Sequence, residues 1–131
     1  MAKLTDAQLE FLEQPYFGVV TTLREDGSPH NTVVWVDVDD GTPSFNTEYG
    51  RVKPANLEKD PRVALMVIDP ANAYRWLAVD GRAALTTDGA DEQIDKLAKK
   101  YTGADEYPNR VEGKQRVKVR IAPEHVTASG F

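Results

Sequence analysis

Two cations, Arg51 and Lys53, stand at the start of a short helix within the stretch from Phe45 to Leu65 (FNTEYGRVKPANLEKDPRVAL). A helix N-terminus already offers free backbone N–H groups and the positive end of the helix dipole. Two further cations there suit an anion, a phosphate above all, seated on the helix end. Arg51 can grip two oxygens and Lys53 supplies a point charge. Asn56 can donate to the same anion, and Pro54 in the first turn suits a helix that starts at this point. The competing reading is a solvated basic turn balanced by Glu48, Glu58 and Asp60, and by motif alone that is the commoner case.

Little else competes for chemistry. The two histidines, His30 and His125, lie far apart, and no paired-histidine helix or aspartate-rich loop accompanies them. His30 sits where a turn enters a strand and can touch a ligand or simply water. There is no GxSxG elbow for a serine nucleophile, and neither GxGxxG nor GxxxxGK[ST] for a glycine-cradled phosphate. Trp35, Tyr74 and Trp76 are strand aromatics. Tyr74 and Trp76 project from one face of their strand, which suits a subunit partner, a flat ring, or both at a dimer cleft.

The totals narrow the field further. The chain has 131 residues, is 40% hydrophobic and 28% charged, and carries a net charge of −5, so one globular domain over residues 1–131 is expected, with no nucleic-acid partner. Two cations are more telling in an acidic chain than in a basic one. Cysteine is absent, which removes disulfides, thiol nucleophiles and thiolate metal sites and suits a reducing cytoplasm. No basic start leads into an apolar run, and no apolar run is long enough to cross a bilayer, so a cytoplasmic protein with no membrane partner is expected.

The elements that must position these residues follow from periodicity and punctuation. Leu4 to Glu13 reads as a helix with Thr5 as N-cap, stopped by Pro15. Tyr16–Leu23, His30–Val38 and Ser44–Thr47 read as three strands of a meander joined by the turns at Asp26-Gly27 and Asp40-Gly41. Arg51–Lys59 is the short helix, and Arg62–Asp69 the fourth strand. Tyr74–Thr87 is a long fifth strand bent or bulged at Gly81. Asp88 caps a helix over Ala90–Tyr101. Thr102–Gly113 is a polar loop, a candidate lid. Lys114–Ala122 alternates as the sixth strand, with Glu124–Phe131 as its possible extension. The expectation is a mainly β fold, a six-stranded antiparallel barrel, closed or half-closed, with short helices.

The residues Phe45-Asn46-Thr47, then Gly50-Arg51-Val52-Lys53, then Asn56-Leu57-Glu58-Lys59-Asp60-Pro61-Arg62-Val63-Ala64-Leu65, and later Ala78-Val79-Asp80-Gly81-Arg82-Ala83, form a pattern with a known likeness. From Leu9 to about Val126 the chain resembles the flavin/deazaflavin split β-barrel superfamily, the pyridoxamine 5'-phosphate oxidase-like proteins. Within it, the chain is most similar to the small reductases that use coenzyme F420. The resemblance implies an FMN-binding type of split barrel and a homodimer with two cofactor clefts between protomers. It implies that Arg51, Lys53 and Asn56 hold the cofactor phosphate, and that Asn46 and Thr47 meet the ribityl chain or ring edge. The backbone around Thr32 and Val33 would run along the ring, with His30 nearby. Tyr74 and Trp76 would come from the other subunit.

The activity so implied is hydride transfer from reduced F420 to an electron-poor double bond of a small molecule. The cofactor carries the reaction and the protein positions it. FMN in the same cleft is the alternative cofactor, and a non-catalytic flavin or deazaflavin carrier the alternative role. Two features depart from relatives: no carboxy-terminal arginine- and proline-bearing substrate motif follows Ala122, which speaks against vitamin B6 oxidation, and the extra histidine segments of haem-degrading members are missing.

Overall fold

The computed structural model describes residues 2–131. Helix α1 (Asp6–Glu13) starts in a capping box: the Gln8 amide donates to Thr5 Oγ1 at 3.1 Å and the Thr5 amide to Gln8 Oε1 at 2.9 Å. Strands β1 (Gly18–Leu23), β2 (Pro29–Val34), β3 (Val36–Asp39) and β4 (Thr42–Glu48) follow, then α2 (Val52–Lys59), β5 (Arg62–Asp69) and β6 (Asn72–Thr86). Helix α3 (Ala90–Thr102) and β7 (Arg116–Ser129) complete the chain. Among the described residues, seven strands form one antiparallel sheet in the order β2-β1-β5-β6-β7-β4-β3.

The strand expected over His30–Val38 is two strands, and this accounts for seven rather than six. Before Trp35 the chain pairs with β1, Val34 facing Gly18; after it the chain pairs with β4, Val36 facing Phe45. The expected three-strand meander is therefore not formed. Because β2 and β3 are the two ends of the sheet and only Trp35 separates them, the sheet must curl until its ends meet. At the crossing, side chains replace a strand partner. The Val36 amide donates to Tyr101 Oη at 2.9 Å, and Lys100 Nζ donates to the Val36 carbonyl at 2.5 Å. The same two groups reach Tyr16 O and Leu12 O, so the last turn of α3 stitches the crossing to the start of the fold. Burial is the main cause that lowers the Lys100 ammonium to about 8 and raises the Tyr101 phenol to about 12.

Beyond the crossing, β2 has among the described residues no strand on its outer side, and α2, packed on β1 and β4, lies at that gap. The result is a mainly β, half-closed barrel with short helices. Its interior is the alternate residues of the strands, among them Val20, Phe45, Leu65, Val67, Leu77, Val79, Val119 and Ile121. Gly81 does mark a bulge: the β6–β7 register slips there, with Asp80 facing His125 and Gly81 facing Pro123. The extra residue, Glu124, lets β7 run on past Pro123 to Ser129, so the last strand takes in most of the expected extension. Helix α3 begins at Gly89 in a left-handed conformation (φ 72°), not on an Asp88 cap.

Candidate functional site

Helix α3 lies on the outer face of β3, β4 and β7 through a polar seam. Gln93 Nε2 donates to Ser44 Oγ at 2.8 Å and Asp37 Oδ2 at 3.2 Å, and Asn46 Nδ2 donates to Ala90 O at 2.8 Å and Gln93 Oε1 at 3.1 Å. At the end of this seam, where β2 gives way to the crossing and α2 begins, a cavity of about 220 Å³ opens. One end carries Arg51, Lys53, Asn46 and Arg116; the other carries Val33, Val34, Trp35, Phe17, Ile94 and Leu97, with Tyr107 as a wall.

The cationic end is unbalanced. Glu48 is buried and lies 3.2 Å from Arg116 Nη1 and 3.8 Å from Arg51 Nε. Among the described residues Lys53 forms no ion pair. Burial first, and then the neighbouring Arg51 and Arg116, hold its ammonium below the ordinary lysine value. Three cations against one carboxylate leave a surplus that an anion would neutralise. The α2 N-terminus adds to this surplus. Its cap residue, Arg51, makes no side-chain capping bond, and the first turn holds no acid.

Of the residues singled out in the sequence, Arg51, Lys53, Asn46 and Val33 are together at the cavity. Thr32 and Thr47 each bury a hydroxyl with no protein partner, and His30 buries Nδ1 in the same state. Inward-facing His30 and Thr32 lie on β2, and Thr47 on β4, the strands that flank the gap. Asn56 is placed otherwise: its Nδ2 donates to Thr22 Oγ1 at 3.0 Å, and its buried side chain ties α2 to β1. Tyr74 and Trp76 stand on the outer face of β6, away from the cavity of their own chain, and Tyr74 is 84% exposed. The loop 103–115 is folded back on α3, where Asp95 accepts from the Tyr107 amide at 2.9 Å and from Arg110 Nη2 at 2.6 Å. This sets Tyr107 edge-on to Trp35, which in turn stacks on Tyr101 at 5.4 Å.

Sequence reasoning missed Arg116. Its partner Glu48 faces it across the β4–β7 register from 68 residues away. The one local signal was its place in the alternation of β7, on the face of Lys118 and Arg120.

A curled antiparallel sheet of this order, with short helices at its gap, defines a protein of the split-barrel class. The chain belongs to the pyridoxamine 5'-phosphate oxidase family, whose profile matches residues 4–130. Among solved structures it is similar to an F420 reductase, at 28% identity and TM-score 0.80, over 95% of this chain and 98% of that one. A pyridoxamine 5'-phosphate oxidase-like protein from Listeria innocua shares the fold at 22% identity and TM-score 0.71, over 94% and 95% of the two chains. An F420H(2)-dependent biliverdin reductase of Mycobacterium tuberculosis is 35% identical over 88 residues; the match takes in 66% of this chain and spans 62% of that relative.

Proposed function

We propose that this protein is a reductase that uses coenzyme F420 and reduces an electron-poor double bond of a small organic substrate. The observation that carries the reading is the two-ended cavity, with surplus positive charge at the α2 N-terminus and an apolar, aromatic remainder. A ribityl phosphate joined to a flat ring has the same division. The likeness to an F420 reductase over nearly the whole chain supports the choice of cofactor.

The residues present fit such a group. Arg51 and Lys53 would hold the phosphate, with the free N–H groups of α2 behind them. Thr32 and Thr47, the neighbours of cavity-lining Val33 and Asn46, bury their hydroxyls inside the protein and do not line the cavity. Val33, Val34 and Trp35 would support one side of the ring. The cofactor supplies the hydride, and the chain binds, orients and excludes water around it.

A single protomer leaves this cleft open on the side of Phe17 and Val33, which are 59% and 66% exposed. These residues continue an apolar row over the outer sheet face, because Val33 faces Val19, Val19 faces Met66, and Met66 faces Ala78. The second copy of this chain is the occupant proposed for that face. There Tyr74 and Trp76 would meet the partner. A mass in solution of twice the 14.5 kDa chain is expected, and Met66→Asp should convert it to monomer. A monomeric wild-type protein would overturn the shared cleft.

The deciding experiment titrates the purified protein with F420 and with FMN and follows fluorescence. Tight binding of F420 is expected, and the reduced cofactor should be oxidised to F420 once an activated enone is added, the enone taking up the hydride and a proton. FMN binding without F420 binding would replace the proposed cofactor, and F420 binding without turnover on any acceptor would make the protein a carrier.

A further inference from the structure

Arg116 is 4% exposed, an unusual depth for a guanidinium, and it lies at the cavity. Two of its three nitrogens are committed: Nε donates to Asn46 Oδ1 at 2.8 Å and Nη1 to Glu48 Oε2 at 3.2 Å. Tyr107 covers a face of the group, 5.2 Å from ring centroid to Cζ. Among the described residues Nη2 donates to no protein acceptor. Asn46 is itself fixed by Ala90 and Gln93, and Glu48 is buried, so the guanidinium plane is locked before any ligand arrives. Nη2 is not sealed in the protein but stays open to the cavity, and a locked cation that presents one free donor to a cavity is suited to binding.

We propose that Arg116 is a third ligand-binding cation of the anion site, one that reads a phosphate oxygen through Nη2 and sets specificity for phosphate-bearing ligands over their phosphate-free counterparts. The proposal rests on the reading of the cavity as a phosphate site. Glu48 and Asn46 act through Arg116 as positioning residues. Arg51, half exposed at its side chain and loosely held at 3.8 Å from Glu48, is the adaptable cation of the set, while Arg116 is the rigid one.

The test uses the full chain and inorganic phosphate, with binding measured by calorimetry, and compares FMN with riboflavin by fluorescence. The informative variant is the double substitution Glu48→Gln with Arg116→Gln. It removes one positive and one negative charge, so the net charge of the cluster is unchanged, and it leaves a neutral pair that can still hydrogen-bond. A tenfold or greater loss of inorganic phosphate affinity is expected in this variant. The preference for FMN over riboflavin should narrow by a similar factor, with riboflavin affinity itself unchanged. Arg116→Lys should retain part of the phosphate affinity. Phosphate affinity equal to wild type in the double variant, equal losses for FMN and riboflavin, or no phosphate binding to the wild-type protein would each overturn the proposal. Failure of wild type to bind either F420 or FMN, with phosphate still bound through Arg116, would instead overturn the cofactor reading alone.

Discussion

Charge reversal at Lys53 should weaken F420 and FMN by at least about 100-fold, close to 2.7 kcal/mol, since a charge-assisted hydrogen bond is lost and a repulsion takes its place. Folding should move the other way. Among the described residues Lys53 has no ion-pair partner, and it is crowded by Arg51 and Arg116, so Lys53→Glu exchanges two repulsions for two attractions. A variant that binds poorly while its unfolding midpoint holds or rises is therefore expected, a combination that general damage to the fold does not give. Fluorescence titration and thermal unfolding measure the two sides. Unchanged affinity would remove the phosphate assignment.

The same crowding fixes a pH dependence. In the free protein Lys53 releases its proton below the ordinary value of 10.5. A bound anion favours the ammonium and raises that value, so the complex holds more protons than the free protein across the interval. Affinity should fall as the pH rises through this alkaline range and be flat below it, down to about pH 6, where a phosphate monoester itself takes up a proton.

Gly81→Ala should be the most damaging of the glycine-to-alanine changes in the molecule. A Cβ at this position would lie 1.9 Å from the Ala122 carbonyl oxygen and 3.0 Å from the Glu124 amide nitrogen. Both neighbours are backbone, so relief requires β6 and β7 to part at their bulge. A loss of about 3 kcal/mol or more is expected, the upper end for overpacking, with a melting point lower by about 10 °C for a domain of this size. Chemical denaturation measures it. A loss below about 1 kcal/mol would show that the bulge opens freely and that its tight spacing is not a constraint.

The sequence carried the local elements well because their signals are local. Strand β5 begins after Asp60-Pro61 and ends at Asp69, and both limits stand in the structure. Helix α3 has the expected start and extends one residue further. What failed was partnership. The Val34 and Val36 side chains are both buried on one face, so the alternation runs unbroken through Trp35 and nothing in it records a change of neighbour. Pro123 looked like the end of the last strand, whereas at a bulge it need not donate and the strand passes it. Asp88 was the better cap by type, but its own amide bonds to Thr86 Oγ1 and Gly89 takes the left-handed turn.

The site divides in the same way. Arg51 and Lys53 were visible because they flank one turn of helix. Asn56 lay in the same motif, and its Nδ2 donates to the hydroxyl of Thr22 on β1, the strand against which α2 packs. Arg116 and Tyr107 join the cavity through a strand pairing and a loop anchored on Asp95, neither of which has a short-range signature.

The crossing at Trp35 has a bearing on how such a chain can vary. Strand parity is carried across that one residue: Val34 and Val36 point inward on either side of it, and Trp35 borders the cavity. A single inserted residue there would turn β3 over, exposing Val36 and Val38 and driving Asp37 and Asp39 toward the barrel interior, whereas two inserted residues would restore the facing. Length changes near the cavity should therefore be tolerated in even steps and rejected in odd ones. The turns at Gly27 and Gly41, where a substituent would meet nothing within 4 Å, have no such rule to obey.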